Sequence, residues 1–573
     1  MYNLMIYGLN LFLSGLFFSL VSMYMYMNNM MIILEWTIFM LSSMKFNYMI
    51  YLDYMGLMYM SVVLIISFFI LLYSMNYMEG DIYIKRFKYL LLLFIFSMCL
   101  MILSPSILSI LLGWDGLGLI SYCLVIYYQN KNAFNSGMLT ILCNRLGDVG
   151  LLMLISMNSF LGSWNLMLYS MSFIMMNFML VSIITKSAQL PFSAWLPAAM
   201  TAPTPISSLV HSSTLVTAGV YLLIRYNKFI LVEVKSYIII ISGVTMFMAG
   251  LMANYENNLK KLIALSTLSQ LGFMMSILGM GLVNLGFYHL LIHAFFKSLM
   301  FMCVGGYIHM SLGNQDLRKF KGLVSMTPLK SIVFIFSFLN LSGFPFFSGF
   351  YSKDLILEFM MVSNVNKLMI YILMISTILT VNYTIRVIKL IFNFNMTVFN
   401  YQYMGDGKFM IFCNFFMMLL VIFSGYLYLT LINYYSCMMT MFDKLSLVML
   451  YLISWIISMS FNYSQKNKMN FKYLEFIMSM FYSIFFYKII YLNFLGFMLS
   501  YEKFNEKSLD KMLGVNFKKM FYIQKMYPYM NNWLYSIHMI KLMKFYSVLL
   551  IYFLYIYKYL NSLMKSTMLK MLS

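Results

Sequence analysis

Apolar runs long enough to cross a hydrocarbon layer of roughly 30 Å recur from one end of this chain to the other. That recurrence leaves few folds open, because backbone N–H and C=O groups at membrane depth must find partners inside the protein. The runs centre near residues 14, 65, 97, 120, 150, 178, 216, 243, 274, 298, 336, 375, 419, 452, 485 and 553. At about 20 residues per span they predict an all-α polytopic membrane protein with about 14–16 transmembrane helices. Residues are 62% hydrophobic and 10% charged, with a mean hydropathy of +0.83, so no part of the composition asks for a soluble core.

One stretch breaks the pattern. KSAQLPFSAWLPAAMTAPTPISSLVHSSTLVT, residues 186–217, holds four of the eight prolines (Pro191, Pro197, Pro203 and Pro205), together with Lys186, His211 and many Ser and Thr hydroxyls. Both flanks are apolar. Charges and helix breakers are tolerated at bilayer depth only where they are buried in protein or line a wet cavity, so this stretch is expected to floor an ion pathway. Lys186 stands five residues before Pro191, which predicts a helix break just past it. Burial disfavours a charged ammonium and a nearby carboxylate favours it, so a lysine that gains and loses an acidic partner can load and release a proton. The energies match: about 1.4 kcal/mol per pKa unit against about 2.3 kcal/mol to move one charge through about 100 mV.

The remaining polar groups at span depth are few. Asp115 lies in GWDGLGLISY, where Gly113, Gly116 and Gly118 let a neighbouring helix approach. An aspartate there costs about 2.5–3.5 kcal/mol unless paired or hydrated, and a titrating carboxylate is the expectation, with a neutral structural Asp as the alternative. Arg145 and Asp148, in NRLGD, share a helix face at i, i+3; a structural ion pair and a part in transport stand level. His289, His293 and Lys297 follow at i, i+4, i+8 and span about 80° of one helix face. Two histidines four apart can share a metal, but no third ligand is evident and the lysine would repel a cation, so a proton wire is expected and no metal.

Charge and cysteine usage exclude other classes. The net charge is +21, and from residue 500 onward eleven lysines face Glu502, Glu506 and Asp510. In so apolar a chain this points to anionic lipid headgroups and to no nucleic acid. The six cysteines are scattered with no C-x-x-C, so they build neither an iron-sulfur cluster nor a zinc site alone, and no redox centre is expected here. With no Lys or Arg before Lys45, neither a secretory signal nor a transit peptide is expected. The 63 methionines, with heavy Phe, Tyr, Asn, Ile and Lys usage, fit an AT-rich genome whose code reads an extra codon as Met.

The segment KSAQLPFSAWLPAAMTAPTPISSLVHSSTLVTAGVYLL, with GWDGLGLISY, NRLGD, LKKLIALSTLSQLG, FYHLLIHAFFKSLMFMCVGG and SGFYSKDLILE, closely resembles the chain 5 family of proton-pumping NADH-ubiquinone oxidoreductase, mitochondrial respiratory complex I. The resemblance runs over about residues 50–390, and the sister antiporter-like chains 2 and 4 lack this wording. It implies two inverted five-helix repeats with broken helices, the first break at Pro203 and Pro205 and the second around Pro345. It further implies N-terminal helices over 1–103, half-channels over 104–235 and 236–395, and C-terminal helices over 396–499. A lateral amphipathic helix over 500–545 and an anchor with tail over 546–573 complete the implied plan.

For the site, the resemblance implies a proton pathway through Asp115, Lys186, His211, Lys260, His289, His293, Lys297, Lys353 and Asp354, with Arg145, Asp148, Glu256 and Arg386 secondary. Most of the family has Glu where this chain has Asp115, so a bridging water is expected between it and Lys186. The family's acid two residues before Lys260 is Asn258 here, with Glu256 as the candidate substitute partner; a solvated loop-end lysine weighs equally. NADH, FMN, iron-sulfur clusters and ubiquinone are implied on other subunits, since no Gly-rich fingerprint follows a strand and no strands are expected. Implied partners are the membrane-arm subunits, especially chains 4 and 2, and lipid such as cardiolipin, in the mitochondrial inner membrane. The alternatives are a subunit of a multisubunit cation/proton antiporter and a purely structural arm that no longer conducts.

Overall fold

A computed structural model describes residues 2–41, 44–167, 171–322, 324, 327–362, 366–392, 407–431, 441–460, 476–481, 496 and 498–499. The chain divides into Met1–Phe486 and Tyr487–Ser573. The expected lateral element, the anchor and the apolar runs near 485 and 553 lie outside the described residues.

The first unit is a helical membrane bundle. Its elements are α1 (Tyr2–Met27), a hairpin of β1 (Ile32–Leu41) and β2 (Met44–Leu52), then α2 (Tyr54–Tyr77), α3 (Ile84–Leu103), α4 (Ile107–Val125) and α5 (Lys131–Ser159). There follow α6 (Phe173–Lys186), α7 (Trp195–Ala198), α8 (Thr204–Ile206), a π-turn (Ser207–Thr214) and α9 (Leu215–Tyr226), then α10 (Val232–Tyr255), α11 (Leu259–Gly279) and α12 (Val283–Met310). After α12 come α13 (Pro328–Ser342), α14 (Ser348–Val362), α15 (Lys367–Phe392), α16 (Lys408–Leu431) and α17 (Met441–Ser460). Among the described residues 11 helices are long and apolar enough to cross a membrane, with shorter apolar ones at Phe173–Lys186, Pro328–Ser342 and Val448–Met459. Each of the expected runs from residue 14 to residue 452 coincides with one of them.

The bundle is sorted by what each helix faces. α1 and α5 leave Leu13, Phe17, Leu20, Leu146, Val149 and Leu152 exposed, as lipid-facing helices do. α11 and α12 are buried along the whole apolar window, so their polar side chains have no water to reach. Gly113 and Gly116 bring α4 against α3: a methyl built on Gly113 would lie 2.8 Å from the Met101 Cα, and one on Gly116 3.0 Å from the Ser97 Cβ.

The hairpin corrects the expectation of a chain without strands. β1 pairs antiparallel with β2, Ile32 opposite Leu52 and Trp36 opposite Tyr48, with a bulge between Thr37 and Phe39. Aromatic and β-branched residues fill both runs, and Glu35, Thr37 and Asn47 interrupt the apolar character, which suits a pleated surface better than a span.

Both broken helices are present, and the first is shifted from its expected place. α6 ends on Lys186, and the interruption runs from Ser187 to Ala194, with Ala188 at φ +53°. Trp195 Nε1 donates to Thr185 O at 3.0 Å across the gap. Pro203 and Pro205 do not break a span; they start one, since a missing N–H costs nothing in a first turn. Thr204–Phe229 then crosses continuously. Within it Ser213 Oγ (3.0 Å) and Thr214 Oγ1 (2.8 Å) both donate to Leu209 O, local competition that accompanies the widened π-turn. In the second break, Gly343 closes α13 at φ +82°. Asn340 bridges to α14, its Nδ2 donating to Ser348 Oγ at 2.8 Å and its Oδ1 accepting from Gly349 N at 2.5 Å.

Of the expected domain boundaries, 103/104 falls at the turn between α3 and α4, 235/236 falls in the first turn of α10, and 395/396 lies outside the described residues.

One ion pair ties the start of α2 to the end of α9. Arg225 grips Asp53 with both forks, Nη1 to Oδ2 at 2.6 Å and Nη2 to Oδ1 at 2.7 Å, while its Nε donates to Tyr221 OH at 2.7 Å. Asp53 also caps α2 through Gly56 N at 3.0 Å. Both side chains are about nine-tenths buried. Arg225→Leu leaves that carboxylate buried without its cation, an expected loss of about 3–5 kcal/mol, read as an earlier midpoint in detergent-titrated unfolding. The double variant Asp53→Asn/Arg225→Leu is expected to recover more than half of the loss.

Candidate functional site

In the first half, Trp114 is the hub. Lys186 is fully buried, and its Nζ donates to Trp114 O at 3.3 Å and lies 4.9 Å from the centre of the indole. The same residue's Nε1 donates to Asp148 Oδ1 at 2.9 Å. Arg145 bridges two acids, 3.3 Å from Asp148 Oδ2 and 3.7 Å from Asp115 Oδ2. Asp115 is therefore the partner of Arg145, about one-third exposed, and the carboxylate joined to Lys186 through the tryptophan is Asp148. No direct ion pair joins Asp115 to Lys186. Asp115 on α4 faces Arg145 of α5, while Asp148 is buried against Trp114 of α4. Gly118, one turn beyond Trp114, leaves room for the ammonium: a methyl there would stand 3.5 Å from Lys186 Nζ.

His211 sits in the π-turn, buried, with neither ring nitrogen hydrogen-bonded and its ring 6.4 Å from that of Trp195. Lys260 is buried as well, against the solvated alternative, and Nζ donates to Ala202 O at 3.2 Å. That carbonyl is free because Pro205 has no N–H and Ile206 N bonds to Pro203 O at 3.1 Å. Glu256 does not replace the family's acid: its Oε1 accepts from Asn258 N at 3.3 Å, and Asn258 Oδ1 caps α11 through Lys260 N and Lys261 N. Among the described residues no carboxylate lies within ion-pair distance of Lys260.

The α12 stripe lies where its spacing put it and points inward. Lys297 Nζ donates to Ser266 Oγ at 2.6 Å. His293 is fully buried with both ring nitrogens unpartnered, and its ring lies 6.4 Å from that of His289. His289 shares Nδ1 with Ser352 Oγ at 3.0 Å and Nε2 with Gln270 Oε1 at 3.3 Å. Lys353 follows Ser352 on α14, and its Nζ donates to Thr380 Oγ1 at 3.0 Å and Ser342 O at 3.5 Å. Asp354, half-buried, is next along the helix. The result is a buried line from Lys297 through His293 and His289 to Lys353. Four like charges in such a row would repel strongly in a medium of low dielectric, so the line suits protons that are shared and moved.

Arg386 stands apart from this line. It donates to the carbonyls of Ala253 and Asn254 and to Asn257 Oδ1 at 2.7 Å, closing the C-terminal end of α10, a holding role. No group of three or more metal-ligating side chains occurs among the described residues. Sequence reasoning did not single out Trp114 as a hub, nor Gln270, Thr380 and the Asp53–Arg225 pair. Asp53 alone carried a visible signal, an Asp directly before an apolar run, which is a helix-start signature.

Comparison with known proteins places the chain in a family. Residues 104–380 match the family described as NADH:quinone oxidoreductase/Mrp antiporter, TM, and residues 36–88 match NADH-Ubiquinone oxidoreductase (complex I), chain 5 N-terminus. NADH-ubiquinone oxidoreductase chain 5 of Locusta migratoria is 44% identical over 502 residues, 84% of this chain and 86% of that protein. The protein of the same name from Anopheles gambiae is 51% identical over 395 residues, 68% and 67% of the two. The solved Mrp complex from Dietzia sp. DQ12-45-1b shares the fold, with a TM-score of 0.69 at 20% identity over 85% of this chain and 57% of that one. With relatives this similar over two thirds or more of their length, this chain belongs to the NADH-ubiquinone oxidoreductase chain 5 family.

Proposed function

We propose that this chain is the proton-translocating antiporter-like subunit in the membrane arm of NADH-ubiquinone oxidoreductase, working in the mitochondrial inner membrane beside chains 4 and 2. The observation that carries the reading is the buried line Lys297–His293–His289–Lys353 between two interrupted helices, in a chain up to 52% identical to chain 5 relatives. Lys186 loads a proton while Asp148 and Trp114 balance its charge, and releases it when that balance shifts. Lys260, Lys297 and the two histidines pass charge across the centre, and Lys353 with Asp354 hands it to the far face. His211 serves as a switchable polar group in the π-turn. This chain carries no redox centre: NADH, FMN, iron-sulfur clusters and ubiquinone bind elsewhere in the complex. Anionic lipid, cardiolipin among it, meets the lysine-rich C-terminal segment.

On a native gel of solubilised inner membranes this chain is expected to comigrate with a very large NADH-oxidising band; a smaller assembly without NADH activity would overturn the reading. Lys353→Met is expected to lower coupled ubiquinone reduction and proton translocation about tenfold, a barrier rise of about 1.4 kcal/mol. NADH oxidation by an artificial acceptor, which bypasses the membrane arm, should stay unchanged. Asp148→Asn should slow pumping several-fold more than Asp115→Asn, because only Asp148 is coupled to Lys186 through a buried hydrogen bond; equal effects would return Asp115 to the centre of the first half.

A further inference from the structure

A second polar cluster lies away from the line just described, where α2, α8 and α12 meet. The loops and first turns at this end of the bundle hold Lys85, Arg86, Lys88, Lys131, Lys261, Arg318, Lys319 and Lys321, against Lys45, Lys228, Lys235 and Lys367 at the other end. By the positive-inside rule this is the face that stays on the side of synthesis, the compartment from which protons are drawn.

His309, half-buried in the last turn of α12, has its ring 5.8 Å from that of Tyr77 at the end of α2. Tyr77 stacks on Tyr73 one turn deeper, 5.7 Å between ring centres and 23° between planes. Tyr73 is fully buried, and its OH and the Oγ1 of Thr204 are two buried hydroxyls that interact with each other without reaching good hydrogen-bond geometry. They converge over the bare Cα of Gly305, where a methyl group would collide with both. A buried hydroxyl left poorly satisfied costs up to about 1–3 kcal/mol, so two of them over a position where the backbone makes room call for a reason. Thr204 starts the helix whose preceding carbonyl, Ala202 O, accepts the Lys260 ammonium at 3.2 Å. Lys330 of α13 reaches the same region, its Nζ 3.8 Å from the Met310 sulfur, and Asp81 stands four residues past Tyr77.

We infer that His309, Tyr77, Tyr73 and Thr204 form a proton-loading mouth on the basic face, taking protons from water and delivering them to Lys260. His309 takes a proton on one ring nitrogen and gives up the proton on the other. Each hydroxyl accepts a proton on oxygen as it passes on its own; one proton has then moved, His309 is left as its other tautomer, and rotation of the imidazole and of the hydroxyls resets the chain. The neutral amine of Lys260 is the acceptor. The inference rests on the proton-relay reading above.

The test uses the assembled complex in closed membrane vesicles, with membrane potential and coupled ubiquinone reduction read together. His309→Gly is expected to lower both about tenfold. Added imidazoles should restore them, with 2-methylimidazole and 4-methylimidazole, equal in size, ranked by their basicity. A wild-type rate, or restoration that ignores basicity, overturns the proposal. Should His309→Gly fail to assemble, Tyr73→Phe/Thr204→Val removes both hydroxyls at nearly constant volume: a several-fold loss of potential with normal assembly supports the mouth, and wild-type pumping overturns it. Lys353→Met in the same vesicles separates the two ideas. If it pumps normally, the relay itself has failed; if it is defective while the mouth variants pump normally, only the mouth has.

Discussion

An ammonium group in a water-poor interior needs oxygen atoms around it, and much of this structure follows from how Lys186 finds them. Its Nζ rests on the main-chain carbonyl of Trp114, and no carboxylate lies within ion-pair distance among the described residues. Isolated buried charge is among the costliest features a protein can carry. The cost is met by partial dipoles near the charge and by an acid one residue removed: the indole that lies beside the ammonium also donates to Asp148. A direct ion pair would be deeper and harder to reverse. An indirect one leaves the charge on Lys186 sensitive to small movements of α5.

The same device recurs along the chain, and for the next two lysines a helix break supplies it, whereas Lys186 shares a carbonyl inside the unbroken α4. Lys260 uses Ala202 O, released by Pro205; Lys353 uses Ser342 O, released where α13 stops at Gly343. In an unbroken helix each carbonyl is already taken by the N–H four residues on. Interrupting the helix inside the bundle therefore produces acceptors for buried lysines at the depth where water cannot provide them. The prolines and the lysines of this chain are parts of one solution.

Much of this was legible beforehand. Apolar run length predicts every described span, Pro191 predicts the end of α6 at Lys186, and the fourfold spacing of His289, His293 and Lys297 places them on one face of α12. The misreadings share a cause. Pro203 and Pro205 look like a break because proline ends helices, yet proline equally starts them, and only the position of Thr204–Phe229 decides between the two. The hairpin over Ile32–Leu52 has the apolarity of a poor span and the residue types of a strand. Asp115 and Asp148 differ in which neighbour they face, and periodicity along one helix says nothing of that.

Sequence alone therefore determined the class of fold, the number and order of the described spans, and the shared face of His289, His293 and Lys297, because each depends on local composition or on spacing within one helix. Tertiary structure alone decided the partners. Asp148 reaches Lys186 through Trp114, Ala202 O accepts from Lys260, and Asp53 meets Arg225 across 172 residues. Those choices turn on the rotation and depth at which helices distant in sequence pack, quantities that close-packed contacts set and that no single segment encodes.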